Sequence, residues 1–200
     1  EEEATEDIHR LGGSEPLDQP YFAVSAFDIY KKRIGWLLLL FFAGTLTGYV
    51  TTLFEGVWGV FTALTIFVPL VIGTGGNAGS QTIATIIRAI TLGEVKPATM
   101  IRAWRKELFT GLMLGTTMCV LAIALTLIVW QVDLGVALAV AFTLPVVVMW
   151  AVTIGTIVPV VADRIGIDPT VVSGPMISTL VDATGLAIYY TLAGFILGVF

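Results

Sequence analysis

The 200-residue chain is 56% hydrophobic and only 12% charged, with a mean hydropathy of +0.94. A soluble domain carries about a quarter charged residues, so this composition excludes that class and defines a polytopic membrane protein. The net charge of -5 is unevenly placed, and one cysteine and one histidine exclude an internal disulfide and leave little for metal clusters or histidine-based catalysis.

The chain opens on EEEATEDIHRLGGSEPLD, which is acidic and polar and lacks the basic start and short apolar core of a signal peptide. It begins with Glu rather than Met, and the opening reads as the end of a helix belonging to a longer protein. His9 lies in this polar lead-in.

Five segments have the ~20 mostly apolar residues needed to cross the hydrocarbon core. The first runs from Gly35 to Phe54, behind the basic cluster Lys31-Lys32-Arg33. The second spans Val57 to Ile90, the third Glu107 to Trp130, the fourth Leu134 to Val161 and the fifth Val171 to Phe200. Cys119 lies inside the third and reads as a small buried hydrophobe. All ten basic residues fall before the first span, between the second and third (Arg88 at the very end of the second), or between the fourth and fifth. Positive charge marks the cytoplasmic side, so the N-terminus is expected inside and the C-terminus outside a plasma membrane. The outer turns carry only Glu55 and Asp133, which read as ordinary turn residues. Trp36 and Trp104 fit an inner aromatic belt, Trp58 and Trp130 an outer one, and Trp150 falls mid-span as a packing residue. The pairs Gly44/Gly48, Gly111/Gly115 and Gly194/Gly198 have the spacing that lets membrane helices approach closely.

The second span contains VIGTGGNAGSQT, Val71 to Thr82, its most polar and least helix-friendly dozen residues. Pro69 disturbs the turn before it, and Gly73, Gly75, Gly76 and Gly79 add freedom and bare the backbone. Such backbone is tolerated in lipid only where protein covers it or water reaches it. The motif lacks the G-K-[ST] ending of a nucleotide loop. The fifth span carries Asp182, and no Lys, Arg or His lies in the interior of any span. A charged side chain at the bilayer centre costs at least ~2.5–3.5 kcal/mol, so its partner is expected to be water, a proton or a cation. The alternative is a protonated carboxyl bonded to Ser178 or a backbone carbonyl. Asp182 is eleven residues past Val171 and Asn77 eleven before Arg88, on antiparallel spans, which places both at one depth, about 16 Å along a helix. Ser178, Asp182, Gly185 and Tyr189 share one helical face, the candidate pore lining. A carboxylate beside exposed carbonyls suits a cation channel or a coupled carrier. An embedded enzyme fails for want of a histidine, a cysteine pair or a second acid near Asp182.

At these residues the chain resembles the membrane domain of the MgtE family of magnesium channels. The similar segments are VPLVIGTGGNAGSQTIATIIRAI and DPTVVSGPMISTLVDATGLAIYY. The resemblance implies an all-α membrane protein with five transmembrane helices per subunit, in a homodimer with the pore at the subunit interface. Residues 1–30 would be the end of a cytoplasmic connecting helix, which plugs the pore when magnesium is plentiful, and a linker; 31–200 would be the pore domain. The regulatory cytoplasmic domains of the family are expected upstream and are absent from this chain. By the resemblance Asp182 binds hydrated Mg²⁺, Asn77 lies near that ion, and Gly73 and Ser178 offer backbone carbonyls. Gly174 stands where some relatives carry asparagine, so one inner polar contact is expected to be lost.

The expected function is therefore a magnesium channel for uptake across the plasma membrane, with Mn²⁺ and other divalent cations as further permeants. The partners would be a second copy, the lipid bilayer and Mg²⁺ itself, with no nucleic acid. The alternative is a proton- or sodium-coupled cation transporter using Asp182 as the exchanging carboxylate.

Overall fold

A computed structural model describes residues 8–17, 19–54 and 58–199, with side chains from Thr62 onward after the second gap. Glu55, most of the acidic opening and the Trp58 side chain lie outside the described residues. Five helical units are long and apolar enough to cross a membrane, and the described residues contain no strand.

Helix α1, Ala26–Leu53, starts nine residues before the expected span, where Ser25 caps it by accepting from the Asp28 amide at 3.2 Å. It buries no residue and packs chiefly on the last helix. The second unit divides into α2, Trp58–Thr65, and α3, Val68–Thr91, with Pro69 in the first turn of α3. A proline is tolerated there because its missing N–H has no helical partner to lose. The break falls where Pro69 predicts it.

The glycines do not behave as expected. Helix α3 runs unbroken through Gly73, Gly75, Gly76 and Gly79. Each glycine costs a helix ~1 kcal/mol relative to alanine, and two of them offset that by admitting neighbours. A Cβ on Gly75 would stand 2.7 Å from Val147 Cγ1 and 3.0 Å from Val181 Cγ1, and one on Gly79 would stand 2.9 Å from Ile177 Cγ2. The bare surface thus serves close approach rather than unwinding.

Helix α4, Met100–Ala124, ends in a wider π turn, Leu125–Val129. Helix α5, Leu134–Arg164, begins at Asp133, whose carboxylate accepts from the Gly135 amide at 2.8 Å, so this acid is a helix cap. It is the central post of the fold, packed against α3, α4 and the last helix, α6, Gly174–Ile196. Gly111 and Gly115 lie against it: a Cβ on Gly115 would stand 2.5 Å from the Pro145 Cα. Of the three glycine pairs, this one marks a tight contact within the chain. Gly44 and Gly48 face open space, and Gly198 lies beyond α6 with a φ of 68°.

Residues 8–17 form a strap along the N-terminal ends of α1 and α6. Gly13, at φ 74°, lies so close to Trp36 that a Cβ would stand 2.4 Å from the indole nitrogen. Trp36 Nε1 donates to Ser173 Oγ at 3.1 Å, and the Ser173 hydroxyl caps α6. Arg10 forms an ion pair with Asp168, which also accepts from the Thr170 amide at 2.9 Å and the Thr170 hydroxyl at 2.7 Å. Burial works to raise the Asp168 pKa, but the Thr170 hydrogen bonds and the Arg10 guanidinium together hold it below the usual carboxylate value.

Candidate functional site

The polar features of α3 and α6 meet. Asp182 is half-buried on α6 and has neither a hydrogen bond nor an ion pair among the described residues. It lies against the bare backbone of Gly76 on α3, where a Cβ would stand 3.5 Å from Asp182 Oδ1 and 3.2 Å from Ser178 Oγ. Asn77 follows Gly76 directly, so the glycine-rich motif and the acid lie at the same depth.

Ser178 sits one turn before Asp182. Its hydroxyl lies 3.3 Å from the Gly76 carbonyl and 3.1 Å from Ser80 Oγ. Ser80 Oγ also lies 3.3 Å from the Gly174 carbonyl. These contacts engage Ser178 with α3 and not with the Asp182 carboxyl. The reading in which Ser178 satisfies the acid is not the arrangement found.

Asn77 is exposed among the described residues, and a Cβ on Gly73 one turn earlier would meet nothing within 4 Å. Gln81, one turn further on, is exposed as well. Gly73, Asn77 and Gln81 follow one another at four-residue spacing and form an open row. That spacing was available in the sequence and would have found Gln81. In lipid, such a row has to meet water or protein.

The candidate pore face on α6 is shorter than expected. Gly185 is buried, with a Cβ position 3.3 Å from Val147 Cγ1. Tyr189 is fully buried in the core formed with α2, α3 and α5, and its hydroxyl donates to the Leu64 carbonyl at 2.9 Å. Apolar packing and that hydrogen bond claim both residues, so neither is available as pore lining and the candidate face stops at Asp182. Trp150 is partly exposed and donates to Thr184 Oγ1 at 2.8 Å, which ties α5 to α6 mid-span.

Among the described residues no group of three or more His, Cys, Asp or Glu side chains is placed to hold a metal ion. What α3 and α6 present is one carboxylate among neutral oxygens: hydroxyls, an amide and helix carbonyls. This donor set hydrogen-bonds well to the water of a hydrated cation and poorly replaces that water.

A polytopic helical membrane protein, whose half-buried acid lies against a second helix with no partner among the described residues, has the architecture of an ion transporter. Residues 68–192 match the family model MgtE, described as a divalent cation transporter, and the chain belongs to that family. It is 36% identical over 197 residues to the magnesium transporter MgtE of Thermus thermophilus, covering 98% of this chain and 43% of that relative. The Bacillus subtilis magnesium transporter MgtE is 32% identical over 191 residues, covering 96% of this chain and 42% of the relative. The Enterococcus faecalis protein of the same name is 31% identical over 193 residues, with the same two shares. The chain therefore spans about two-fifths of the length of these relatives. The family is one of transporters and not of enzymes.

Proposed function

We propose that this chain is the membrane part of a magnesium channel, in which two copies set their Asp182 carboxylates on either side of a shared ion path. The observation that carries the reading is Asp182, unpaired and half-buried beside the bare backbone of Gly76. The open row of Gly73, Asn77 and Gln81 supports the second copy, because its polar groups need cover in a membrane. The names of the relatives support Mg²⁺ as the ion.

Mg²⁺ gives up its water reluctantly, so a path that passes it quickly grips the hydrated ion. Two carboxylates facing each other repel in the absence of a cation. A divalent ion neutralises both charges; a monovalent ion neutralises one. Asn77 offers its amide oxygen to the bound waters, and Ser178 and Gly73 line the approach. An inside-negative potential then draws the ion inward, by about 4.6 kcal/mol per 100 mV for two charges. In this reading the N-terminal strap is cytoplasmic and the C-terminus extracytoplasmic, following the basic residues. Regulatory domains belong to the additional length of the full relatives.

The test replaces Asp182 with asparagine or alanine in the full-length protein and measures Mg²⁺ uptake or current. Loss of both at normal membrane abundance is the expected result; undiminished uptake would overturn the reading. Transport by the unaltered protein that ignores imposed pH and Na⁺ gradients separates a channel from the coupled carrier.

A further inference from the structure

We propose that Ser80 is a positioning residue for Asp182: it ties α3 to α6 through the Ser178 hydroxyl and the Gly174 carbonyl, one to two turns before the acid. The inference rests on Asp182 being the ion-binding carboxylate. With no hydrogen bond of its own among the described residues, Asp182 takes its place from where α6 lies against α3. The apolar contacts at Gly75 and Gly79 set how closely the helices approach but are weakly directional. Direction comes from the three hydroxyl contacts: Ser80 to Ser178 at 3.1 Å, Ser80 to the Gly174 carbonyl at 3.3 Å and Ser178 to the Gly76 carbonyl at 3.3 Å.

Two hydroxyl hydrogens serve these contacts, and they do so in two self-consistent chains. In one, Ser178 donates to Ser80 and Ser80 donates to Gly174. In the other, Ser80 donates to Ser178 and Ser178 donates to Gly76. Both chains leave Ser178 at least one lone pair for a water of a hydrated cation. Ser80 takes part in both, so removing its hydroxyl breaks the link from α3 to Gly174 and leaves Ser178 with the Gly76 carbonyl alone. Residue 174 is a glycine whose Cβ position would lie 3.6 Å from Ser80 Oγ. The Ser80 hydroxyl therefore supplies polar character at the place where a larger residue 174 would extend. The polar contact expected to be missing at Gly174 is made from the other helix.

The experiment uses the full-length protein with Ser80→Ala, Ser80→Thr, Ser178→Ala and the double alanine variant. It reads the Mg²⁺ concentration for half-maximal uptake separately from the maximal rate, at matched membrane abundance. Ser80→Ala is expected to raise the half-saturating concentration roughly tenfold, the size typical of losing a group that orients a metal-binding residue. Ser80→Thr keeps a hydroxyl and is expected to restore the unaltered value. The double variant is expected to lose less than the sum of the two single losses, because both hydroxyls share the contact between them. An unchanged half-saturation in Ser80→Ala, an equal loss in Ser80→Thr, or additive losses would each overturn the proposal. Asp182→Asn is run alongside: unimpaired uptake there overturns the underlying channel reading instead.

Discussion

Tyr189 and Leu64 are joined across the core by a 2.9 Å hydrogen bond, from the phenol of α6 to the last-turn carbonyl of α2. The same carbonyl accepts from the Phe67 amide at 3.0 Å, just where the second span breaks. Tyr189 thus fastens α6 to the hinge between α2 and α3. Tyr189→Phe keeps the ring and removes this tie, and is expected to cost about 0.6 kcal/mol and no more than about 1.7, the range for hydrogen bonds between membrane helices. Equilibrium unfolding in detergent or bicelles measures it.

Gly76 leaves room for Ser178 and Asp182 together. Gly76→Ala would put a methyl carbon 3.2 Å from Ser178 Oγ, so the serine has to move and lengthen its contact with the Gly76 carbonyl. The expected outcome is a folded protein whose apparent Mg²⁺ affinity falls roughly three- to tenfold, the scale of one net hydrogen bond. Concentration-dependent uptake at matched abundance checks this.

Gly115 and Gly44 make a matched pair with opposite outcomes. Gly115→Ala would drive a methyl to 2.5 Å from the Pro145 backbone, which no side-chain rotation relieves, so α4 and α5 are expected to part at a cost of about 1–3 kcal/mol. Gly44→Ala meets nothing within 4 Å and is expected to leave the stability of the isolated chain unchanged or slightly raised. Thermal unfolding of both variants in one detergent makes the comparison.

The strap over α6 has a defined pH window. The Asp168 pKa is lowered in the folded protein, so its contribution to stability is present above the ordinary Asp value of about 3.9 and is lost as pH falls through the lower folded value. Hydrogen exchange of residues 8–17 is therefore expected to report the same local stability from pH 8 to 5, after correction for intrinsic rates, and release only in stronger acid. Asp168→Asn removes that dependence.

Much of this architecture was legible from the residues. Apolar length sufficed for five spans, and Pro69 marked the break in the second. The misreading of the glycines has a physical cause. Glycine weakens an isolated helix, yet in a packed one it is also the residue that lets Val147, Val181 and Ile177 come close, and a single sequence does not say which use prevails. Tyr189 was misplaced for a related reason. Helical spacing puts it on the face of Asp182, but α2 covers that face two turns on, and only the fold reveals the cover. Ser80 went unread because its contact is with a residue 98 positions away.

Helix α1 leans on one principal neighbour and buries none of its 28 residues. Its apolar stretch behind Lys31-Lys32-Arg33, Ile34 to Leu53, is about 30 Å long at ~1.5 Å per residue, the thickness of a hydrocarbon core, while the charged turns before it lie at the interface. Its tilt is set by the helix it chiefly packs against and by the basic and aromatic residues at its start. The helix it rests on is α6, which carries Asp182. A membrane thinner or thicker than about 30 Å mismatches this helix, and the mismatch is passed on to the helix that bears Asp182.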